Sequence, residues 1–123
     1  MNLPHNGIED SPSVQYRGIF LNDEDWGLQP WAAKTFEQET GDIDPKTYEK
    51  IFQLLLRLKA NTIWPAMHPS TKAFHKIAGN QAMAEKYHIS IGTCHAESML
   101  RNNVDEWNEK VYANSITYPI ARK

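Results

Sequence analysis

Asp44-Pro45-Lys46-Thr47-Tyr48-Glu49-Lys50-Ile51-Phe52-Gln53-Leu54-Leu55-Leu56-Arg57-Leu58-Lys59-Ala60-Asn61-Thr62-Ile63-Trp64 is the stretch that decides the fold. Asp44 is a good N-cap, and Pro45 suits the first helical position, where no N–H is needed. Tyr48, Ile51, Phe52, Leu55 and Leu58 recur at helical spacing, with Leu54 and Leu56 widening the apolar stripe. Glu49, Lys50, Gln53, Arg57 and Lys59 fill the opposite side. The pattern predicts a helix over 45–60. A β-prone run, Asn61-Thr62-Ile63-Trp64, follows with almost no joint, and that abruptness is typical of a βα repeat.

The same grammar extends in both directions. Arg17-Gly18-Ile19-Phe20-Leu21 predicts a strand over 17–22 and runs into Asn22-Asp23-Glu24-Asp25-Trp26. The strand predicted over 61–66 runs into Pro65-Ala66-Met67-His68. A third, over 89–95, runs into Cys94-His95-Ala96-Glu97. Residues 26–43 hold Trp26, Trp31 and Phe36. A connection of that length reads as a binding loop, partly helical over Trp31–Glu39. A second helix is predicted over 80–87, with Ala82, Met83 and Tyr87 on one face. A further helix is expected from about Asn103, including Val104 and Trp107. The order β, loop, α, β, α, β, α implies an α/β fold with a parallel sheet and right-handed crossovers. A closed (β/α)8 barrel takes roughly 250 residues. The 123 residues therefore read as a small open α/β domain or as the first part of a barrel. In either case ligands bind beyond the carboxyl ends of the strands, where all three polar segments fall.

Composition narrows the partners. Net charge is −2 and the isoelectric point is about 6.2, so no basic footprint for nucleic acid or an anionic membrane is present. No run approaches the roughly 20 apolar residues of a membrane span. Cys94 is the lone cysteine, so no disulfide can form within the chain. The opening Met1-Asn2-Leu3-Pro4-His5 lacks the basic and apolar regions of a signal peptide, which leaves the compartment open.

Each polar segment has a chemical reading and a plainer one. Asp23, Glu24 and Asp25 are consecutive carboxylates; adjacent like charges disfavour joint ionisation, and one of the three is expected to serve in acid or base catalysis. The plainer reading is a solvated turn. Trp64 offers a flat apolar face and one N–H donor for stacking on a sugar ring, or else it is a core residue near a strand end. His68 is a ligand donor or a loop cap. His95 and Glu97 have strand spacing and face one way, as a hydrogen-bonded pair or a metal-ligand pair. No zinc spacing is present, so no metal site is expected. Cys94 lacks a nucleophile signature and reads as a small buried filler. The Arg101 guanidinium is a carboxylate fork or a local pairing group.

Three blocks of sequence resemble a known family. Tyr16-Arg17-Gly18-Ile19-Phe20-Leu21-Asn22-Asp23-Glu24-Asp25-Trp26-Gly27-Leu28 is similar to the opening of the catalytic domain of glycoside hydrolase family 115, the xylan α-1,2-glucuronidases. Leu54-Leu55-Leu56-Arg57-Leu58-Lys59-Ala60-Asn61 with Trp64-Pro65-Ala66-Met67-His68 resembles the next block. Gly92-Thr93-Cys94-His95-Ala96-Glu97-Ser98-Met99-Leu100-Arg101-Asn102-Asn103 resembles a third. The likeness covers residues 12–110. It implies a (β/α)8 TIM barrel whose first three strands lie here, and removal of (4-O-methyl-)glucuronic acid from glucuronoxylan with inversion. It implies that Asp23, Trp64, His95 and Glu97 line the sugar pocket; from the residue types, catalytic carboxylates are expected among Asp23, Glu24 and Glu97, and substrate contacts from Asn22, Asp25, Trp26, Trp64, His68, His95 and Arg101. No cofactor and no metal are expected. The partner is a xylan oligosaccharide or polysaccharide, and the full-length parent is expected as a secreted or periplasmic homodimer.

Family members are several times longer than this chain. The resulting division is a linker or loop over 1–16, a partial barrel over 17–111 and a divergent tail over 112–123, inactive on its own. The alternative reading is a non-catalytic carbohydrate-binding or vestigial α/β fragment. A metal-dependent barrel hydrolase is disfavoured because the first strand lacks a His-x-His pair.

Overall fold

The computed structural model describes residues 11–21, 24–65 and 70–93. Three short strands, β1 (Gly18–Phe20), β2 (Thr62–Trp64) and β3 (Ser90–Ile91), form one parallel sheet in the order β1-β2-β3. Between β1 and β2 lie a 3₁₀ turn (Glu24–Trp26) and helices α1 (Leu28–Thr35) and α2 (Pro45–Arg57). Between β2 and β3 lie a second 3₁₀ turn (Phe74–Lys76) and α3 (Asn80–Lys86). This is the α/β alternation of a partial barrel. No helix among the described residues is long and apolar enough to cross a membrane.

The strands are shorter than the sequence predicts, but the ladder runs past them. The Leu21 N–H donates to Trp64 O at 2.8 Å, and the Gly92 N–H to Ile63 O at 2.9 Å. The first pair sits unusually close: a Cβ on Gly18 would fall 1.7 Å from Thr62 O, so only glycine fits there.

Tyr48, Phe52 and Leu55 of α2 are buried against Ile63, Phe74, Ala84 and Ile89. Tyr48 meets Phe74 edge to face at 4.7 Å. The inward face of α3 is Asn80, Met83, Ala84 and Tyr87, a strict i, i+3, i+4, i+7 set. Ala82, expected on that face, points outward. Leu54, Leu56 and Leu58 are also exposed, at 54%, 44% and 67%. They widen the α2 stripe beyond the arc that the sheet covers. Large exposed apolar side chains favour association. We expect the isolated chain to sediment as a dimer or larger species, and Leu54→Glu with Leu58→Glu to shift it towards monomer. A monodisperse monomer for the unchanged chain would contradict this.

The start of α2 is capped differently from the sequence expectation. Asp44 is at the N-cap position with extended backbone, but its side chain makes no capping hydrogen bond. Buried Glu37 does so from a distance, its Oε1 accepting the Thr47 N–H at 3.0 Å. Asp42 fixes the same loop, accepting from the N–H groups of Ile43 and Lys72. Helix α1 starts one turn before Trp31, because Pro30 falls in its first turn, where a missing N–H loses nothing.

Both helix-to-strand joints share one geometry. The Lys59 N–H bonds Leu56 O and the Ala60 N–H bonds Leu55 O; His88 to Glu85 O and Ile89 to Ala84 O repeat the pattern. Lys59 and His88 both have positive φ, 59° and 52°. These are two Schellman caps without the usual glycine.

Glu49 ties α2 to α3. Its Oε1 accepts from the Tyr87 hydroxyl at 2.8 Å and from Lys86 Nζ at 3.0 Å. The Tyr87 hydrogen bond, then Lys86, holds the Glu49 carboxyl below the ordinary glutamate value, and Lys86 is raised chiefly by its hydrogen bond to Glu49. A lowered folded-state pKa means that stabilisation is present above the unfolded pKa and is lost as pH falls through the folded one. The melting temperature of the native chain should therefore drop more than that of Glu49→Gln between about pH 6 and about pH 3. Parallel curves for the two proteins would contradict this.

Candidate functional site

The parallel register sorts the strand side chains into two faces. Ile63 is fully buried towards the helices, and Leu21 and Ile91, which share its parity, pack on the same core. Gly18, Phe20, Thr62, Trp64, Ser90 and Gly92 therefore face the other way. In a barrel that face is the interior. It divides into two rows. Gly18, Thr62 and Ser90 form the lower row; Phe20, Trp64 and Gly92 form the row nearest the carboxyl ends.

The upper row is aromatic and open. Phe20 is 39% exposed and Trp64 is 43% exposed, and their rings meet edge to face at 5.6 Å. With Tyr16, Gly18, Ile19 and Thr62 they line a cleft of about 280 Å³. Within these residues the Trp64 ring lies on the face of the sheet away from the helices and is 43% exposed. A larger hollow of about 740 Å³ lies along α3 and β3, lined by Phe74, His75, Ala84, Glu85, His88 and Ile89 among others. It flanks the helical layer rather than the carboxyl edge, where parallel α/β folds bind ligands.

Of the sequence-predicted site residues, Asp25, Trp26 and Trp64 are fully among the described residues. Trp26, on the first 3₁₀ turn, is 85% exposed, and no ring among the described residues pairs with it. Asp25 is half-buried on the same turn. Glu24 opens that turn. Asn22, Asp23, His68, His95, Glu97 and Arg101 lie outside the described residues, as does Cys94. The three described strands nevertheless end at one edge, at Leu21, Pro65 and Gly92, so the segments that carry those residues all begin there. The sequence reading missed Phe20 as Trp64's partner, and it missed Gly92 on the other side of the ring. The register Phe20↔Trp64 pairs residues 44 apart, which alternation alone does not reveal.

Residues 9–122 match the sequence profile described as glycosyl hydrolase family 115. No curated protein sequence matches the chain. Among solved structures, the chain is similar to BtGH115A, described as a family GH115 4-O-methyl-α-glucuronidase with specificity for decorated arabinogalactans. The two are 51% identical with a TM-score of 0.75, over 85% of this chain and 15% of that one. The chain thus spans about one seventh of the length of the solved protein that it matches.

Proposed function

The chain belongs to glycosyl hydrolase family 115, and from that membership we propose that it supplies the first three βα units of a glucuronidase barrel. The whole barrel removes glucuronic acid or its 4-O-methyl ether from a decorated plant polysaccharide such as glucuronoxylan. The observation that carries this reading is the open Phe20–Trp64 face at the carboxyl edge of a parallel sheet, where three polar segments begin. An aromatic face beside carboxylates suits a pyranose ring, whose axial C–H groups stack while its hydroxyls hydrogen-bond.

Inverting hydrolysis needs an acid and a base about 6.5–9.5 Å apart, with a water between the base and the sugar. In this proposal Asp23 or Glu24 is one of the pair, and Glu97 is the other candidate within the chain. Arg101 holds the uronate carboxylate by its planar fork. Asn22, Asp25, Trp26, His68 and His95 bind hydroxyls or the ring. The remaining wall of the site comes from strands beyond these three, so the 123 residues alone bind carbohydrate weakly and do not turn it over. The parent barrel is proposed to act as a homodimer.

The test is a titration of the 123-residue chain with a 4-O-methylglucuronic-acid-substituted xylo-oligosaccharide, with release of uronic acid followed in parallel. Weak binding that Trp64→Ala abolishes, without release, is expected. Rapid release by the chain alone would show that its site is already complete. Hydrolysis by a chimera carrying these strands in BtGH115A separates this reading from a carbohydrate-binding fragment without catalysis.

A further inference from the structure

Phe20, Trp64 and Gly92 sit side by side in the row nearest the carboxyl edge: a large ring, a larger ring and no side chain. Phe20 presses on Trp64 from the β1 side, edge to face at 5.6 Å. On the β3 side, a Cβ at Gly92 would fall 2.2 Å from Trp64 Nε1 and 2.4 Å from Cδ1. Real Cβ atoms do not come so close to a ring, so the pyrrole edge of the indole occupies the space that a side chain at 92 would fill. The backbone gives no other reason for glycine here. The positive-φ glycines among the described residues are Gly41 and Gly79, and Gly92 is not one of them. An L-residue could adopt its conformation; what it could not do is coexist with Trp64 in this position.

We infer that Gly92 is a positioning residue for carbohydrate. By leaving its side of the row empty, it lets the indole lean across β3 and present a ring face to the open side of the sheet. Phe20 closes the opposite direction, so the indole is held between a wall and a gap. A methyl group at 92 pushes the ring back towards Phe20, off the strand, and removes the platform. This inference rests on the proposed role of Trp64 as the stacking residue.

The experiment uses the 123-residue chain labelled with 5-fluorotryptophan, the Trp64 resonance being assigned by its loss in Trp64→Phe. The probe is the 4-O-methylglucuronic-acid-substituted xylo-oligosaccharide. Gly92→Ala should shift the Trp64 resonance and weaken binding about tenfold, the size of a lost aromatic contact. Gly27→Ala, whose methyl meets no atom within 4 Å, should change neither. A thermal double-mutant cycle separates contact from backbone effects. Gly92→Ala should lower the melting temperature in the native chain and leave it unchanged in the Trp64→Ala background. Failure of Gly92→Ala to fold, with folding restored by Trp64→Ala, supports the inference equally. Equal destabilisation in both backgrounds overturns it, as does an unmoved Trp64 resonance. If Trp64→Ala reduces binding but Gly92→Ala does not, the positioning role falls and the stacking role stands. If Trp64→Ala leaves binding intact, the stacking role itself is wrong and the positioning role falls with it, whatever the resonance does.

Discussion

Asp23→Ala, introduced into a BtGH115A chimera that carries this chain in place of its matching segment, should lower turnover by roughly 10²–10⁴-fold, the usual contribution of a positioned acid or base. The segment Asn22–Asp25 begins where β1 ends, at the carboxyl edge of the sheet. In the proposed role the Asp23 carboxylate acts on the bond being cleaved, rather than on the remote parts of the substrate. The loss should therefore fall on kcat more than on KM, because an interaction realised in the transition state is removed. Glu24→Ala is the companion variant. If Glu24→Ala gives the large loss and Asp23→Ala a small one, the role passes to the neighbouring carboxylate. Small losses in both would remove this segment from the chemistry. His88→Ala should leave turnover near that of the unchanged chimera, since His88 is exposed at the joint before β3.

Phe52→Ala should cost about 3–5 kcal/mol, the range for truncating a fully buried aromatic. Phe52 is 0% exposed and lies at the centre of the core, with Tyr48 at 5.8 Å and Tyr87 at 6.3 Å between ring centroids. Its loss leaves a cavity between α2, α3 and the sheet that rigid neighbours cannot close. Domains of this size are held by only about 5–15 kcal/mol in total, so the variant should lose much or all of its cooperative transition. Leu56→Ala, on the exposed side of the same helix, should cost under about 1 kcal/mol. Denaturant melts of the two variants measure the contrast, and similar midpoints would refute this packing of α2.

The alternation of strand and helix was legible because local patterns carry it. Tyr48, Phe52 and Leu55 repeat at helical spacing, and Thr62-Ile63-Trp64 follows at strand spacing. The inner edge of the stripe was less clear. Leu54 and Leu58 are as apolar as Leu55, and only the position of the sheet decides which of them is covered. The caps were hidden for two different reasons. Glu37 caps α2 from ten residues before Thr47, beyond the reach of a local N-cap signal. The joints after α2 and α3 use Lys59 and His88 where a sequence reading looks for glycine. On α3 the expectation failed at Ala82, since a small apolar residue costs little to expose and so marks a face weakly. For the site, Trp64 was visible as a residue type, but its exposure depends on lying on the face of the sheet away from the helices. Gly92 was visible as part of a motif. Its purpose emerges only when β3 is laid beside β2, because the atom it makes room for is 28 residues away in sequence.

In the proposed reading these strands belong to the glycosidic site of a glucuronidase barrel. The direct measurement is release of 4-O-methylglucuronic acid from a decorated arabinogalactan, the substrate named for BtGH115A, by the chimera with the native sequence of this chain. Turnover by a folded chimera is expected, sharply reduced by Asp23→Ala and by Trp64→Ala. A chimera that folds and melts cooperatively but releases no uronic acid, or one whose release is indifferent to both substitutions, would contradict it.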